Sequence, residues 1–253
     1  MRILVCMKQV PDTGEVKLST DFTLERDFVA QVMNPADESA LELALELRDL
    51  HGGEVVALTM GPERAESMLR EAIARGADRA VLMTDRAFAG ADTLITAECL
   101  CAAVRALGRF DLILCGRRAA DGETGQVGPM LAAMMDMPCA ANTTEVCLNG
   151  ETLCATQLTE KGEIFWSMRL PALVTLCEWS YPLRLPTIAG LRKARDAQVE
   201  RLTARSLDIG RCGLKASPTR VVRIDARPSG VRPCQKLSLP EVLALLESRG
   251  VLE

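Results

Sequence analysis

Short aliphatic runs alternate with longer helical patterns through the first 115 residues, and that alternation constrains the fold most. Strand candidates lie at residues 3–7, 55–59, 80–83 and 112–115. Between them, "NPADESALELALELRDLHGG" offers Asn34 as a helix cap and Pro35 at the first helical position. Acids fill its first turn, and glycine follows its end. "PERAESMLREAIARGAD" and "ADTLITAECLCAAVRALGR" place aliphatics at i, i+3 and i+4. One strand–helix unit about every 30 residues implies right-handed βαβ crossovers. The expectation is an α/β fold with a mostly parallel sheet covered by helices.

Two stretches break this rhythm. Residues 11–33 read as a polar excursion or hairpin between the first strand and its helix. After Pro138, "TTEVCLNGETLCATQLTEKGEIFWSMRL" holds two strand-like runs joined by Asn149-Gly150, a strong hairpin turn, and a third after Lys161-Gly162. "PALVTLCEW" is one more buried strand. An antiparallel piece is therefore expected beside the parallel sheet. From about Tyr181 prolines and basic residues take over, so the chain is expected to divide into an α/β domain with its β-hairpin extension, residues 1–180, and a C-terminal arm and tail, residues 181–253.

Composition removes several classes of function. The chain has 253 residues and a formal net charge of −4 with no basic block, which argues against nucleic acid. No apolar run approaches the roughly 18 residues of a membrane span. "MRILVCMKQV" turns polar too early for a signal peptide, so a cytoplasmic protein is expected. Ten cysteines are scattered without C-x-x-C. Most, including Cys6, Cys115, Cys147 and Cys177, sit in apolar runs and read as buried, reduced thiols rather than metal ligands. His51 is the one histidine, placed like a helix C-terminus, so hydrolase chemistry built on histidine is set aside.

The most informative stretch is "LILCGRRAADGETGQVGPMLAAMM", residues 112–135. It runs from strand to helix at the carboxyl end of a parallel strand, where open α/β sheets bind ligands. Gly125 and Gly128 permit close backbone approach, Pro129 marks a helix start, and Thr124 and Gln126 are donors; together they suit a diphosphate. Asp121 and Glu123 do not. They either accept hydrogen bonds from ribose hydroxyls and loop N–H groups or merely cap turns. Arg117 and Arg118 can offset their charge. The loop is neither a Walker A nor a G-x-G-x-x-G motif.

"CGRRAADGETGQVGP" resembles the adenine-nucleotide loop of the electron-transferring flavoprotein β subunit. "ILVCMKQVPDT", "MNPADESALELAL", "TMGPERAESMLREAIARGADRAVLMTD", "FAGADTLITA", "MRLPALVTL", "LPTIAGLRKAR" and "GLKASPT" agree in colinear order over nearly the whole chain. The resemblance implies a doubly wound sheet of the adenine-nucleotide α-hydrolase kind and an αβ heterodimer. It also implies an α subunit carrying its own redox FAD. One branch of that family binds AMP in β as a structural ligand. The bifurcating branch binds a second FAD there, which takes a hydride from NADH. It sends one electron to the α FAD and an acyl-CoA dehydrogenase, the other to ferredoxin or flavodoxin. "DGETGQVGP" is similar to the bifurcating form, with small Gly125 and apolar Val127 leaving room for a flavin.

Carried over by position, ligand contacts fall on Cys6, Asn34, Pro35, Ala36, Asp37, Met60, Gly116, Arg117, Arg118, Ala119, Ala120, Asp121, Gly122, Glu123, Thr124, Gly125, Gln126 and Val127. Arg118 replaces the family's usual Gln and Ala120 its common Ile. An added cation near a flavin favours the reduced anion. The resemblance assigns no acid, base, nucleophile or metal to this chain. Trp179, Tyr181, Leu183 and Leu185 form an apolar cluster rimmed by charge, which reads either as packing within the flavoprotein or as a docking site. By resemblance, Leu185 before Pro186 is the anchor for dehydrogenase partners. A nucleotide-hydrolysing relative of the same fold is the other alternative.

Overall fold

The computed structural model describes residues 1–12, 30–222 and 236–251. It contains a nine-stranded sheet in the order β11-β5-β4-β1-β6-β10-β7-β8-β9 and a two-stranded one, β2-β3. The central strands are β1 (Arg2–Cys6), β4 (Glu54–Met60), β5 (Arg79–Met83), β6 (Leu112–Gly116) and β10 (Ala172–Leu176), with all neighbours parallel. Their interior residues are buried on both faces, so they read as continuous apolar runs. Along β1, Ile3 and Val5 enter the core shared with α1 (Pro35–His51) and α2 (Glu66–Arg75). Leu4 and Cys6 enter the core shared with α3 (Thr93–Leu107) and α4 (Val127–Met134). Strand order reverses at β1, whose neighbours are β4 and β6, and a crevice opens at such a reversal.

The antiparallel piece is β7 (Cys139–Asn149), β8 (Thr152–Thr159) and β9 (Gly162–Arg169). β7 runs parallel to β10 at its start, then turns away through an irregularity near Thr143 and pairs with β8 across the Asn149-Gly150 turn. Gly150 takes φ +62°, the left-handed conformation that such a turn requires. Of the expected excursion at residues 11–33, the ends pair as β2 (Gln9–Pro11) and β3 (Gln31–Met33). Residues 13–29 lie outside the described ones.

Two expectations are corrected, at Cys147 and at Asn34. The first compact unit runs from Met1 to Val222. The Tyr181 hydroxyl accepts from Val146 N–H at 2.8 Å. α5 (Ile188–Asp196) packs on α2, where a Cβ on Gly190 would lie 2.1 Å from the Ala74 carbonyl oxygen. β11 (Glu200–Leu202) joins the sheet beside β5. Cys147 is exposed, because β7 covers only one face here, whereas Cys6, Cys115 and Cys177 are buried as expected. Asn34 does precede α1, but its side chain makes no cap hydrogen bond. His51 ends α1 and is exposed. In the second unit, α6 (Leu239–Ser248) opens on a Ser238–Glu241 capping box, and none of its residues is buried. No helix among the described residues is long and apolar enough to cross a membrane.

Candidate functional site

A cleft of about 630 Å³ opens at the carboxyl ends of β1, β4 and β6. Cys6, Met60 and Cys115 end those strands in its floor; Phe88, Thr93 and Leu100 form a wall from the α3 side. The loop after β6 closes the other side. It turns through left-handed conformations at Glu123 (φ +51°) and Gly125 (φ +62°) before entering α4. α4 has no side-chain cap and no acid in its first turn, so its N-terminus faces the cleft as an open site for negative charge. Gln126, just before it, accepts from the Thr93 hydroxyl at 2.9 Å. Gly128 lets α4 approach β10: a Cβ there would lie 2.5 Å from Thr175 Cγ2. Its glycine is thus a packing requirement between helix and strand.

Two side chains from the start of α1 hold the floor. Asp37 is buried and accepts from Lys8 N–H at 2.6 Å and Gly116 N–H at 3.0 Å, tying the ends of β1 and β6 together. Burial pushes its carboxyl up to about 7, against the opposing pull of the Lys8 N–H, the Asn34 side chain and the Gly116 N–H. A Cβ at Gly116 would lie 2.3 Å from Asp37 Oδ1, so only glycine fits. Asn34 donates to the Arg118 carbonyl at 2.9 Å and accepts from Ala120 N–H at 3.0 Å. It binds the loop in place of capping its own helix.

The loop's charges are paired. Asp121 meets Lys8 Nζ at 2.6 Å, and Glu123 lies 3.6 Å from Arg118 Nη1. Arg118 Nε donates to Glu178 Oε1 at 3.0 Å. Arg117 Nε lies 2.6 Å from Glu178 Oε2, an ion pair in which the N–H is not aimed at the oxygen. Burial raises the Glu178 carboxyl, but its own backbone N–H and the two guanidiniums outweigh that and hold it below the usual range. In this structure the acids neutralise Lys8 and Arg118, and Arg118 is no isolated cation.

Of the residues expected at the site, Cys6, Asn34, Asp37, Met60, Gly116, Arg117, Arg118, Ala119, Asp121, Gly122, Thr124, Gly125, Gln126 and Val127 line the cleft. Pro35, Ala36, Ala120 and Glu123 do not. Pro35 starts α1, Ala36 is buried behind Gly116, the Ala120 N–H is held by Asn34, and Glu123 points outward. Sequence reasoning missed Lys8, Phe88, Thr93 and Glu178. The rule that ligands sit beyond strand ends could have found Lys8, two residues past β1, and Glu178, two past β10. Leu185 is 83% exposed and lies outside the cleft lining. Trp179 is equally open, whereas Tyr181 and Leu183 pack against the core. Among the described residues, no group of three or more His, Cys, Asp or Glu is arranged to hold a metal ion.

Comparison with known proteins shows the family. The electron transfer flavoprotein domain matches residues 21–207. An electron transfer flavoprotein subunit beta of Thermoanaerobacterium thermosaccharolyticum is 43% identical over 226 residues, 88% of this chain and 86% of that protein. Protein FixA of Azorhizobium caulinodans is 42% identical over 237 residues, 89% of this chain and 84% of its own. The caffeyl-CoA reductase-Etf complex subunit CarD of Acetobacterium woodii is 39% identical over 233 residues, 90% and 89% of the two chains.

Proposed function

The chain belongs to the electron transfer flavoprotein family as a β subunit, and we propose that its cleft binds FAD in the manner of the bifurcating branch. The observation that carries this reading is the cleft itself. It has about 630 Å³ at the strand reversal, an uncapped helix N-terminus at one side, and small Gly125 and Val127 in the loop. Those features fit a dinucleotide: backbone approach and a helix dipole for the diphosphate, an apolar wall at Phe88 and Leu100 for a ring system. The chemistry such a cofactor supplies is hydride acceptance from NADH and one-electron delivery, to the α-subunit FAD and to ferredoxin or flavodoxin.

The residues of this chain bind and orient. Asp37 and Gly116 fix the two strand ends, and Asn34 fixes the loop at Arg118 and Ala120. Thr124 and Gln126, the latter held by Thr93, offer side-chain donors, and the Arg117–Arg118–Glu178 group sets the charge beside the cleft. We place the protein in the cytoplasm, paired with an α subunit and serving an acyl-CoA dehydrogenase through Leu185. The Acetobacterium relative, a subunit of a caffeyl-CoA reductase-Etf complex, supports a CoA-ester enzyme as partner.

Acid extraction of the purified αβ complex followed by chromatography tests the reading. Two FAD per heterodimer are expected. One FAD with one AMP would replace it by the structural-AMP reading, and phosphate release from ATP would point to a hydrolase.

A further inference from the structure

Cys147 and Cys154 stand directly opposite each other on the antiparallel strands β7 and β8. Opposed residues in such a pair have Cα atoms about 4.5–5.5 Å apart, inside the about 4.4–6.8 Å window of a disulfide. Both are free thiols, Cys147 exposed and Cys154 partly so. They interact already: burial first, then the Cys154 thiol, raises Cys147 above the ordinary thiol range.

The face they share is the outer one. Val146, Leu148, Leu153, Ala155 and Met168 turn to the core, and alternation sends Cys147 and Cys154 the other way. Ser167 lies opposite Cys154 on β9, and Arg169 lies opposite Thr152. Glu145 and Asn149 flank Cys147 on β7. These neighbours are polar, and the exposed Phe165 stands further along the same face, opposite Thr156 on β8.

We propose that Cys147 and Cys154 form a dithiol modification site that takes low-molecular-weight disulfides such as oxidised glutathione and closes to an internal disulfide. The Cys147 thiol loses its proton to water, and its sulfur attacks one sulfur of the small disulfide. A mixed disulfide forms and one small thiolate leaves, taking up a proton. The Cys154 thiolate then attacks the Cys147 sulfur and expels the second small thiolate. The protein loses two electrons and two protons, and the small disulfide becomes two thiols. Disulfides are rare in reducing compartments, and those that form there are usually transient. The site is independent of the nucleotide cleft, where Cys6 and Cys115 are opposed on parallel strands but buried.

The test uses the purified αβ complex. After incubation with oxidised glutathione, free thiols are alkylated under denaturing conditions and peptides are read by mass spectrometry. The segment holding Cys147 and Cys154 should show a loss of two hydrogens and no alkylation, while Cys6 and Cys115 stay fully alkylated. Cys147→Ser should leave Cys154 either free or as a mixed disulfide. A trivalent arsenical, which needs two close thiols, should bind the wild type with 1:1 stoichiometry at this site and neither Cys147→Ser nor Cys154→Ser. Stable glutathione adducts without the internal bond would overturn the proposal, and so would two thiols that remain inert in the complex.

Discussion

Asp37 and Glu42 leave the same helix, both are buried, and they are satisfied in opposite ways. Asp37 has backbone N–H donors from Lys8 and Gly116 and no guanidinium. Glu42 has Arg184, which donates to it from its backbone at 2.8 Å and from its side chain at 2.9 Å. The hydrogen bond to Glu42 leads the causes that raise Arg184 above the ordinary guanidinium range. The first arrangement joins two strand ends into the floor of a ligand cleft. The second straps an excursion of the chain onto the domain, and Arg75 holds the same stretch by donating to the Arg184 carbonyl at 2.6 Å. Next to that strap stands the exposed Leu185. A buried carboxylate held mainly by N–H dipoles makes a rigid, pH-sensitive site; one paired with a guanidinium fixes a platform.

The largest difference should appear on changing pH. Burial raises Asp37 from 3.8 to about 7, so between those values the folded protein binds more protons than the unfolded one. Stability from this group is therefore complete below about pH 4 and is lost as pH rises through about 7. Three pK units correspond to at most about 4 kcal/mol. In urea unfolding, Asp37→Asn should lose this slope while Glu42→Gln keeps it. Identical slopes in wild type and Asp37→Asn would end the distinction between the two carboxylates.

The next effect is steric. Gly116→Ala places a Cβ 2.3 Å from Asp37 Oδ1 and 2.9 Å from the Ala36 backbone, so strand and helix must separate. About 3 kcal/mol of stability and the cleft nucleotide should be lost together. Gly122→Ala, four residues short of Gln126, meets nothing within 4 Å and should stay within about 0.5 kcal/mol. Equal behaviour of the two variants in unfolding and nucleotide content would show that the floor yields.

These elements differ in how far the sequence announced them. The parallel strands were legible because both faces are covered and their interiors are apolar apart from Thr59 and Thr175. The hairpin was legible through Asn149-Gly150. β11 was not: Glu200, Arg201 and Leu202 carry no strand pattern, and the segment is a strand only because β5 offers it an edge. In the cleft, the loop's glycines and helix start were visible locally. The partners of its charges were not, since Lys8 and Asp121 are 113 positions apart and Arg118 and Glu178 are 60 apart. Asn34 shows a subtler limit: its position fits a helix cap, but a loop far along the chain competes for its amide.

On the platform side, Leu185→Ala should leave stability within about 0.5 kcal/mol, because the side chain is already in solvent. A leucine anchor buried on docking is worth about 2–3 kcal/mol, so partner affinity should fall about 30- to 150-fold. Electron transfer to a cognate acyl-CoA dehydrogenase, titrated against partner, reads this. Unchanged half-saturation would remove Leu185 as the anchor and leave the Arg184 strap without its proposed purpose.

The smallest effect is expected at Arg118, where the two designs meet: a guanidinium pairs with a carboxylate beside the dipole-lined cleft. Arg118 is partly exposed, and Glu178 keeps the nearby Arg117 when Arg118 is removed. Exposed pairs of this kind contribute about 0–1 kcal/mol, so Arg118→Gln should hardly alter unfolding. The amide can still donate to Glu178. The cleft loses one positive charge, which disfavours a reduced, anionic ligand, so the potential of the FAD proposed there should move to more negative values. Screening by Glu178 and Glu123 limits the shift to about 1 kcal/mol, or about 20 mV for a two-electron couple. Potentiometric titration of the complex beside urea unfolding separates the alternatives. Loss of FAD from the variant would mean that Arg118 leaves Glu178 to hold the ligand directly. A stability loss above about 2 kcal/mol would mean that Glu178 depends on Arg118 as Glu42 depends on Arg184.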